Sequence, residues 1–348
     1  MRPRQSGSPA LDPKDVALTL AAIGLLALQR WEGIQTALSP AGIQAARISH
    51  LWWIFFAVAA FVWIAVMGVL VHAIVRGRGR AAPVTDERTK RVQRIAVGSA
   101  TIATVLTLLG LATVDFATGR SIASLAVSHP DPLVIEVTGY QWWWEVEYQD
   151  SVSSNGFTTA NEIVIPVGRP VRVIIEAADV IHSFWVPNLH GKRDLIPGYS
   201  NNIWIRADEP GIYRGQCAEY CGDQHARMAL FVVARDSAEF EAWRANQLRP
   251  GVTPTDSATS HGRDVFEDGP CAVCHTIRGT SAGGRVGPDL THLASRTHIA
   301  AGTLPNTRGH LAGWIANSQA IKPGNRMPPM PLPAADFHAL LDYLETLE

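Results

Sequence analysis

Cys271-Ala272-Val273-Cys274-His275 places two thiols three residues apart with an imidazole directly after them. At this spacing the thiols bond to a porphyrin edge and the His reaches the iron, the attachment signature of a c-type haem. A zinc ligand pair or a thioredoxin-type redox pair uses the same Cys spacing, but neither accounts for the adjacent His275 or a downstream Met. A second set, Cys217-x3-Cys221-x3-His225-x2-Met228, lies about fifty residues upstream, with His182 ahead of it. Two thiolates, two imidazoles and a thioether are soft donors that suit copper or zinc rather than magnesium or calcium. One Cys with two His and a weak axial Met would bind a single copper. The second Cys lets both sulfurs bridge two copper ions and share one electron between them, so that bond lengths change little on reduction. A tetrahedral Cys2His2 zinc site is the plainer reading, with Met228 then filling core. Two structural disulfides are the other use of four Cys; the tight spacing and the neighbouring His and Met speak against it.

These residues need a scaffold. From Pro132 the chain turns to short runs rich in β-branched residues, at 133–137, 162–165, 171–175 and 202–205, punctuated by Pro and Gly at 166–170 and 197–198. Short strands at this spacing predict a β-sandwich or barrel. Residues 212–217 read as a strand running into the ligand loop, and 229–233 as the strand that closes it. The stretch from Asp236 reads as a helix leading into a Pro/Ser/Thr linker. The 88 residues from His261 to Glu348 are few for an independent core, and a bound haem supplies apolar mass.

Two apolar runs precede the sandwich. Residues 51–75 hold no Asp, Glu, Lys or Arg; His72 is the one ionisable side chain, and Trp52 and Trp53 stand at the start. A helix of that length spans a bilayer, with aromatic residues favoured at its interface. Residues 95–114, rich in Ala, Thr and Leu, form a second and less apolar span. A buried helix of a globular domain is the plainer reading of each. The loop between them carries Arg76, Arg78, Arg80, Arg88, Lys90, Arg91 and Arg94 against Asp86 and Glu87. That excess marks the cytoplasmic side and puts everything after Val114 outside, where covalent haem attachment is completed. The apolar run 16–28, after Arg2, Arg4 and Lys14, reads as a signal-peptide core. Asp12 and Asp15 are unusual there and no A-x-A site follows, so an uncleaved third apolar segment stays open. The chain of 348 residues has room for two or three domains, and its net charge of −1 gives no sign of nucleic-acid binding.

Residues 179–233 resemble subunit II of the haem-copper cytochrome c oxidases. The string G-Q-C-A-E-Y-C-G-x-x-H-x-x-M, here Gly215 to Met228, has the pattern of that family's binuclear CuA site. By that resemblance His182, Cys217, Cys221, His225 and Met228 are side-chain ligands. Glu219 gives its backbone carbonyl to one copper and turns its carboxylate to a magnesium site shared with subunit I. Gly139-Tyr140-Gln141-Trp142-Trp143-Trp144-Glu145 is similar to the aromatic stretch where that family takes electrons from cytochrome c, which makes Trp142 the candidate intake residue. An aromatic strand packed on the membrane surface or on subunit I is the alternative. Residues 261–348 resemble a class I cytochrome c, with 261–267 as its N-terminal helix and 336–347 as its C-terminal helix. Gly287-Pro288-Asp289-Leu290 matches the loop whose Pro carbonyl orients the haem-ligating His. Pro323-Gly324-Asn325-Arg326-Met327-Pro328 resembles the sixth-ligand loop and favours Met327 over Met330. His292, His298, His310 and His338 are read as surface or structural residues.

The resemblance covers roughly residues 41–348. It implies a membrane α-hairpin, an all-β cupredoxin-like Greek-key sandwich and an all-α class I cytochrome c domain. The expected divisions are 1–40 for targeting, 41–128 for the hairpin, 129–235 for the CuA domain, 236–258 for a linker and 259–348 for the cytochrome. This is the architecture of a caa-type oxidase subunit II, in which fusion raises the effective concentration of the donor. The implied route runs from a haem on Cys271, Cys274, His275 and Met327 to CuA, then to haem in subunit I, where oxygen is reduced. No catalytic residue of that reaction is expected in this chain. The implied partners are subunit I, subunit III, membrane lipid, and an external cytochrome or a quinol:cytochrome c reductase as donor. The implied place is the bacterial inner membrane, multi-pass, with the metal domains outside. One departure concerns the start of the second helix, where family members often carry a Glu and a Trp-Thr pair with a Pro. Here Lys90-Arg91-Val92-Gln93-Arg94-Ile95-Ala96-Val97 has neither, which puts the partner's proton entrance in doubt. Two other readings are the equivalent subunit of a CuA-containing nitric oxide reductase and a membrane-tethered electron-transfer protein.

Overall fold

The structure is a computed structural model and describes residues 33–77, 87–125 and 132–348. The apolar run 16–28, Arg78 and Arg80 lie outside the described residues. Two long helices come first, α1 (Ile43–Gly77) and α2 (Glu87–Leu125), and the apolar spans 51–75 and 95–114 lie within them. Both helices are long and apolar enough to cross a membrane, and their most apolar stretches bury nothing inside the protein. A globular core helix of the same composition hides its side chains; these do not. The hydroxyls of Thr101, Thr104, Thr107, Thr113 and Thr118 donate back to the carbonyl four residues earlier, so they need no water along α2. Arg47 of α1 donates to the Ser121 carbonyl of α2, which joins the start of one helix to the end of the other.

The start of α1 is tied to the β domain. Asn188 accepts from Thr36 N at 3.1 Å, donates to the carbonyls of Gly33 and Ser39, and gives its own carbonyl to Ala41 N at 2.7 Å. Residues 33–41 therefore lie on the same side of the hairpin as the sandwich.

The β domain follows the period-two rule. β1 (Leu133–Tyr140) buries every second residue, and β2 (Trp143–Gln149) alternates in the same way. With β3 (Phe157–Ala160) between them, β4 (Glu162–Pro166) is buried throughout, as a strand covered on both faces must be. The chain continues through β5 (Val171–Ala177), β6 (His182–Phe184), β7 (Arg193–Leu195), β8 (Asn201–Ile205), β9 (Gly211–Gln216) and β10 (Ala229–Arg235). One sheet has the order β3-β2-β1-β5-β8 and a second the order β4-β10-β9, while β6 pairs with β7. The apolar faces of these sheets close one core around Ile135, Trp144, Ile163, Val173 and Leu230.

Helix α3 (Ser237–Gln247) belongs to that core as well. Phe240 is fully buried in it, and Trp243 packs edge-on against Tyr148 at 5.2 Å and Phe157 at 5.6 Å. The first half of 236–258 is thus structure packed on the sandwich. The cytochrome region holds α4 (Ser257–Glu267), α5 (Cys271–Cys274), the short pair β11 (His298–Ile299) and β12 (Leu304–Pro305), α6 (Arg308–Ala316), α7 (Ser318–Ile321) and α8 (Ala334–Leu344). Asp256 caps α4 by accepting from the Ala258 and Thr259 amides. Helices α4 and α8 cross at Gly262, where a Cβ would lie 1.9 Å from the Ala339 carbonyl oxygen.

Candidate functional site

Strand β6 delivers His182, and the loop between β9 and β10 delivers the other soft donors. Asp179 Oδ1 lies 2.9 Å from His182 Nε2 and can only accept, so that nitrogen carries the proton and Nδ1 keeps its lone pair. That Nδ1 lies 3.9 Å from Cys217 Sγ. Cys221 Sγ is 3.7 Å from Cys217 Sγ, 3.6 Å from His225 Nδ1 and 3.8 Å from Met228 Sδ. The Glu219 carbonyl oxygen stands 3.2 Å from Cys217 Sγ. The six residues named from the sequence therefore meet at one point. Gly139 makes room for it, since a Cβ there would sit 2.9 Å from the His182 ring.

All four cysteines are free thiols, and 3.7 Å between Cys217 and Cys221 leaves them unbonded. Two buried thiols this close do not both ionise on their own. The contact with Cys221 holds the Cys217 thiol far below its ordinary range, while the same contact, with burial, pushes Cys221 up. A cation held by both sulfurs removes that conflict, so the donor set fits a soft metal ion.

The second site is a cavity of about 370 Å³ lined by Cys271, Cys274, His275, Leu290, Met327 and Met330, among others. His275 Nδ1 lies 2.8 Å from the Pro288 carbonyl, which can only accept, so Nε2 keeps the lone pair. Burial pushes the His275 imidazole down and keeps it neutral. Gly287 is obligatory beside it, because a Cβ would stand 2.6 Å from the ring. The Met327 carbonyl accepts from Ser318 Oγ at 2.5 Å and Gln319 Nε2 at 2.9 Å, while Met330 N donates to Ile315 O at 3.2 Å. Both thioethers line the cavity. Arg296 lines it too, and its Nε is buried without a partner among the described residues. An apolar hollow with two thiols at its rim, a neutral imidazole and an orphaned cationic N–H fits a haem with its carboxylates.

Three consecutive tryptophans have three different places. Trp144 is fully buried in the sandwich, and Trp143 stacks on Tyr140 at 4.8 Å. Trp142 is 8% exposed and lines the same cavity as His275 and Met327. Its Nε1 donates to the Cys221 carbonyl at 2.9 Å, and Gln141 Nε2 donates to the same oxygen at 2.8 Å. A Cβ on Gly222 would meet its ring at 3.1 Å, and one on Gly324 at 3.5 Å. The indole is therefore sandwiched between the copper loop and the Met327 loop.

The two halves meet over a broad polar seam that the sequence did not announce. Glu162 Oε1 accepts from Thr297 N at 2.7 Å and from Thr297 Oγ1 at 2.5 Å. His298 stacks on Phe231 at 4.2 Å, and Gln224 Nε2 donates to the Pro323 carbonyl at 2.8 Å. His292 is structural, with its ring nitrogens at the carbonyls of Glu348 and Arg249. None of these partners shares a sequence motif with the residue it meets.

The family model described as "Cytochrome C oxidase subunit II, periplasmic domain" matches residues 153–235, and the cytochrome c family model matches 259–348. A protein of Alkalihalophilus pseudofirmus named cytochrome c oxidase subunit 2 is 37% identical over 320 residues, which covers 90% of this chain and 91% of that one. This chain belongs to the cytochrome c oxidase subunit II family. Members of the family are parts of an oxidoreductase, the haem-copper terminal oxidase, and here the subunit II domain is joined to a cytochrome c domain. The two family matches imply a copper centre and a haem, respectively. Cytochrome c oxidase subunit 2 of Bacillus subtilis is 30% identical over 229 residues, 63% of each chain. A solved periplasmic domain of subunit II of cytochrome oxidase from Bradyrhizobium japonicum is 34% identical; it covers 34% of this chain and 95% of that one, with a TM-score of 0.32. The two apolar helices ahead of a periplasmic-type domain fit a membrane-anchored subunit II with its metal domains outside.

Proposed function

We propose that this chain is the electron-intake subunit of a caa-type respiratory cytochrome c oxidase. It receives electrons in its cytochrome domain, passes them through Trp142 to the copper loop, and delivers them to haem in subunit I for oxygen reduction. The observation that carries this reading is the position of Trp142, wedged between Gly222 and Gly324 and bonded to the Cys221 carbonyl.

Haem and copper, when bound, supply one-electron couples. Cys271 and Cys274 offer their thiols to the porphyrin edge, and His275 offers Nε2. Met327 offers its thioether from a loop that Ser318 and Gln319 hold in place. His182, Cys217, Cys221, His225, Met228 and the Glu219 carbonyl are two donors more than a four-coordinate zinc ion takes, which supports a binuclear copper centre. Burial of Trp142 keeps water out of the gap between the two loops. The Glu219 carboxylate lies 3.4 Å from Lys192 Nζ, so a magnesium ion there would displace that ammonium and take its other oxygen ligands from subunit I. No step above depends on it.

In this reading the hairpin crosses the bacterial inner membrane twice. The Asn188 tie supports an outside start for α1, and Arg76, Arg88, Lys90, Arg91 and Arg94 support a cytoplasmic turn. Subunits I and III and lipid surround the helices, and an external cytochrome or a quinol:cytochrome c reductase feeds the haem. Metal analysis and EPR of the purified full chain test the assignment. About two coppers and one iron per chain, with one unpaired electron shared over both coppers, are expected. One zinc, or a single localised copper, overturns it.

A further inference from the structure

Lys322 is 2% exposed, in a place where no carboxylate answers it among the described residues. A buried ammonium is costly unless its hydrogens find acceptors. Its Nζ donates to the Trp142 carbonyl at 2.6 Å and to the Ala300 carbonyl at 3.2 Å, one acceptor from each domain. Burial pushes its pKa down to about 7, with Cys221 pulling it up and Arg227 pushing it further down.

The acceptor on the cytochrome side sits in strained backbone. Ala300 and Ala301 both adopt left-handed conformations, at φ 52° and 55°, just ahead of Gly302 at 72°. Alanine is unfavourable there, and such strain persists only where the surroundings impose it. The conformation aims the Ala300 carbonyl at Lys322 and gives the Ala301 carbonyl to Ala229 N on β10 at 3.0 Å. The same lysine begins the segment that carries Gly324 against the Trp142 ring and ends at Met327.

We infer that Lys322 is a positioning residue for electron intake: it pins the Trp142 peptide to the haem-ligand loop and so holds the indole against both metal loops. The inference rests on the reading of Trp142 as the residue through which electrons pass. Without the ammonium, the buried Trp142 carbonyl loses its donor and the Ala300 carbonyl keeps only Thr303 Oγ1 at 2.7 Å, so the joint between the two domains either opens or takes in water. Tunnelling falls steeply as such a gap widens.

The test uses the full-length, metal-loaded chain. Lys322→Met keeps the apolar stem and removes the ammonium; Lys322→Gln keeps a neutral donor. Three properties are compared with the unaltered chain: the haem and copper spectra, hydrogen–deuterium exchange at residues 139–144 and 298–303, and haem-to-copper transfer after photoreduction. In Lys322→Met, unchanged spectra, faster exchange in both segments and transfer slowed by up to about a hundredfold are expected, the scale that a misplacement of about 1 Å can cost. Lys322→Gln falls between the two. Exchange and transfer at the unaltered values in Lys322→Met overturn the inference; should that variant fail to load haem, unaltered values in Lys322→Gln do so. Absence of any haem-to-copper transfer in the unaltered chain overturns the route through Trp142 itself, which is a different failure.

Discussion

In the sandwich, the donor atoms of His182, Cys217, Cys221, His225 and Met228 each stand 3.6–3.9 Å from a neighbouring donor, fixed by strand ladders and by Asp179. In the cytochrome domain, His275 and the two methionines face an apolar hollow of about 370 Å³. In the first site, scaffold hydrogen bonds hold the donors next to one another. In the second, the donors face an apolar hollow, and the haem that fits it would supply much of that domain's core. The difference teaches that the two implied cofactors stand in different relations to folding.

Blocking haem attachment gives the largest effect. With Cys271→Ser and Cys274→Ser together, helices α4, α6 and α8 are expected to lose most of their protection against hydrogen exchange, while β1, β5 and β10 keep theirs. Loss of protection in both domains at once would break the contrast. Second in size is Phe240→Ala, which empties a fully buried site under α3 and costs the sandwich about 3–5 kcal/mol. Differential scanning calorimetry should show the sandwich transition fall while haem absorbance holds. Third, chelating copper from the full chain should leave the far-ultraviolet circular dichroism of the sandwich unchanged. Its melting should fall only by the binding free energy, about 2.7 kcal/mol at a free ligand level one hundred times Kd. A sandwich that unfolds without copper would put it in the same class as the cytochrome shell.

Acid sharpens the comparison with the smallest effect. Burial and the neighbouring Glu176 and Glu147 carboxylates raise Glu136, and burial with Glu147 raises Glu145, above the ordinary 4.5. Their folded-state cost is full above those raised values and is relieved as pH falls through them toward 4.5. In the cytochrome domain Glu267 has the opposite shift: burial opposes it, but Ser281 and Arg263 hold it below 4.5. Its stabilisation is full above 4.5 and is lost as pH falls through its folded value. Asp150 and Asp179 in the sandwich are also held low, so the opposed signs are read from variants: Glu136→Gln should raise sandwich melting at neutral pH and Glu267→Gln should lower that of the cytochrome domain, both effects fading below pH 4.5. Shifts of the same sign would remove this distinction.

Both donor clusters stood out because the Cys217–Met228 loop and the thiol pair with His275 are local strings; spacing left zinc open beside copper, and the family resemblance supplied the fuller sets with His182 and Met327. Strands β1, β4, β5 and β8 were legible as short runs rich in β-branched residues, and β9 and β10 as the strands flanking the ligand loop. Strand β2 was legible only as the alternative reading of the aromatic stretch 139–145, because Trp143 and Trp144 do not by themselves mark outward and inward faces of one strand. Helices α1 and α2 extend past their apolar spans because Arg47, Arg88 and Arg91 interrupt the composition without interrupting the helix. The burial of Trp142 and the pairing of Lys322 with it were out of reach, since the two residues are 180 positions apart and no periodicity links them. Glu162 and Thr297 are hidden for the same reason.

The tie at Asn188 has a consequence for the assembled membrane complex. Asn188 is buried, six residues beyond His182, and its side chain and backbone hold residues 33–41 immediately before α1 begins. The Leu189 carbonyl also accepts from Ala45 N inside the first turn of that helix. The sandwich cannot rise, sink or swivel without dragging α1 with it. On the proposed membrane orientation, the elevation of the copper loop above the lipid is a built-in dimension of the chain, and the proposed acceptor in subunit I would meet it at a set depth.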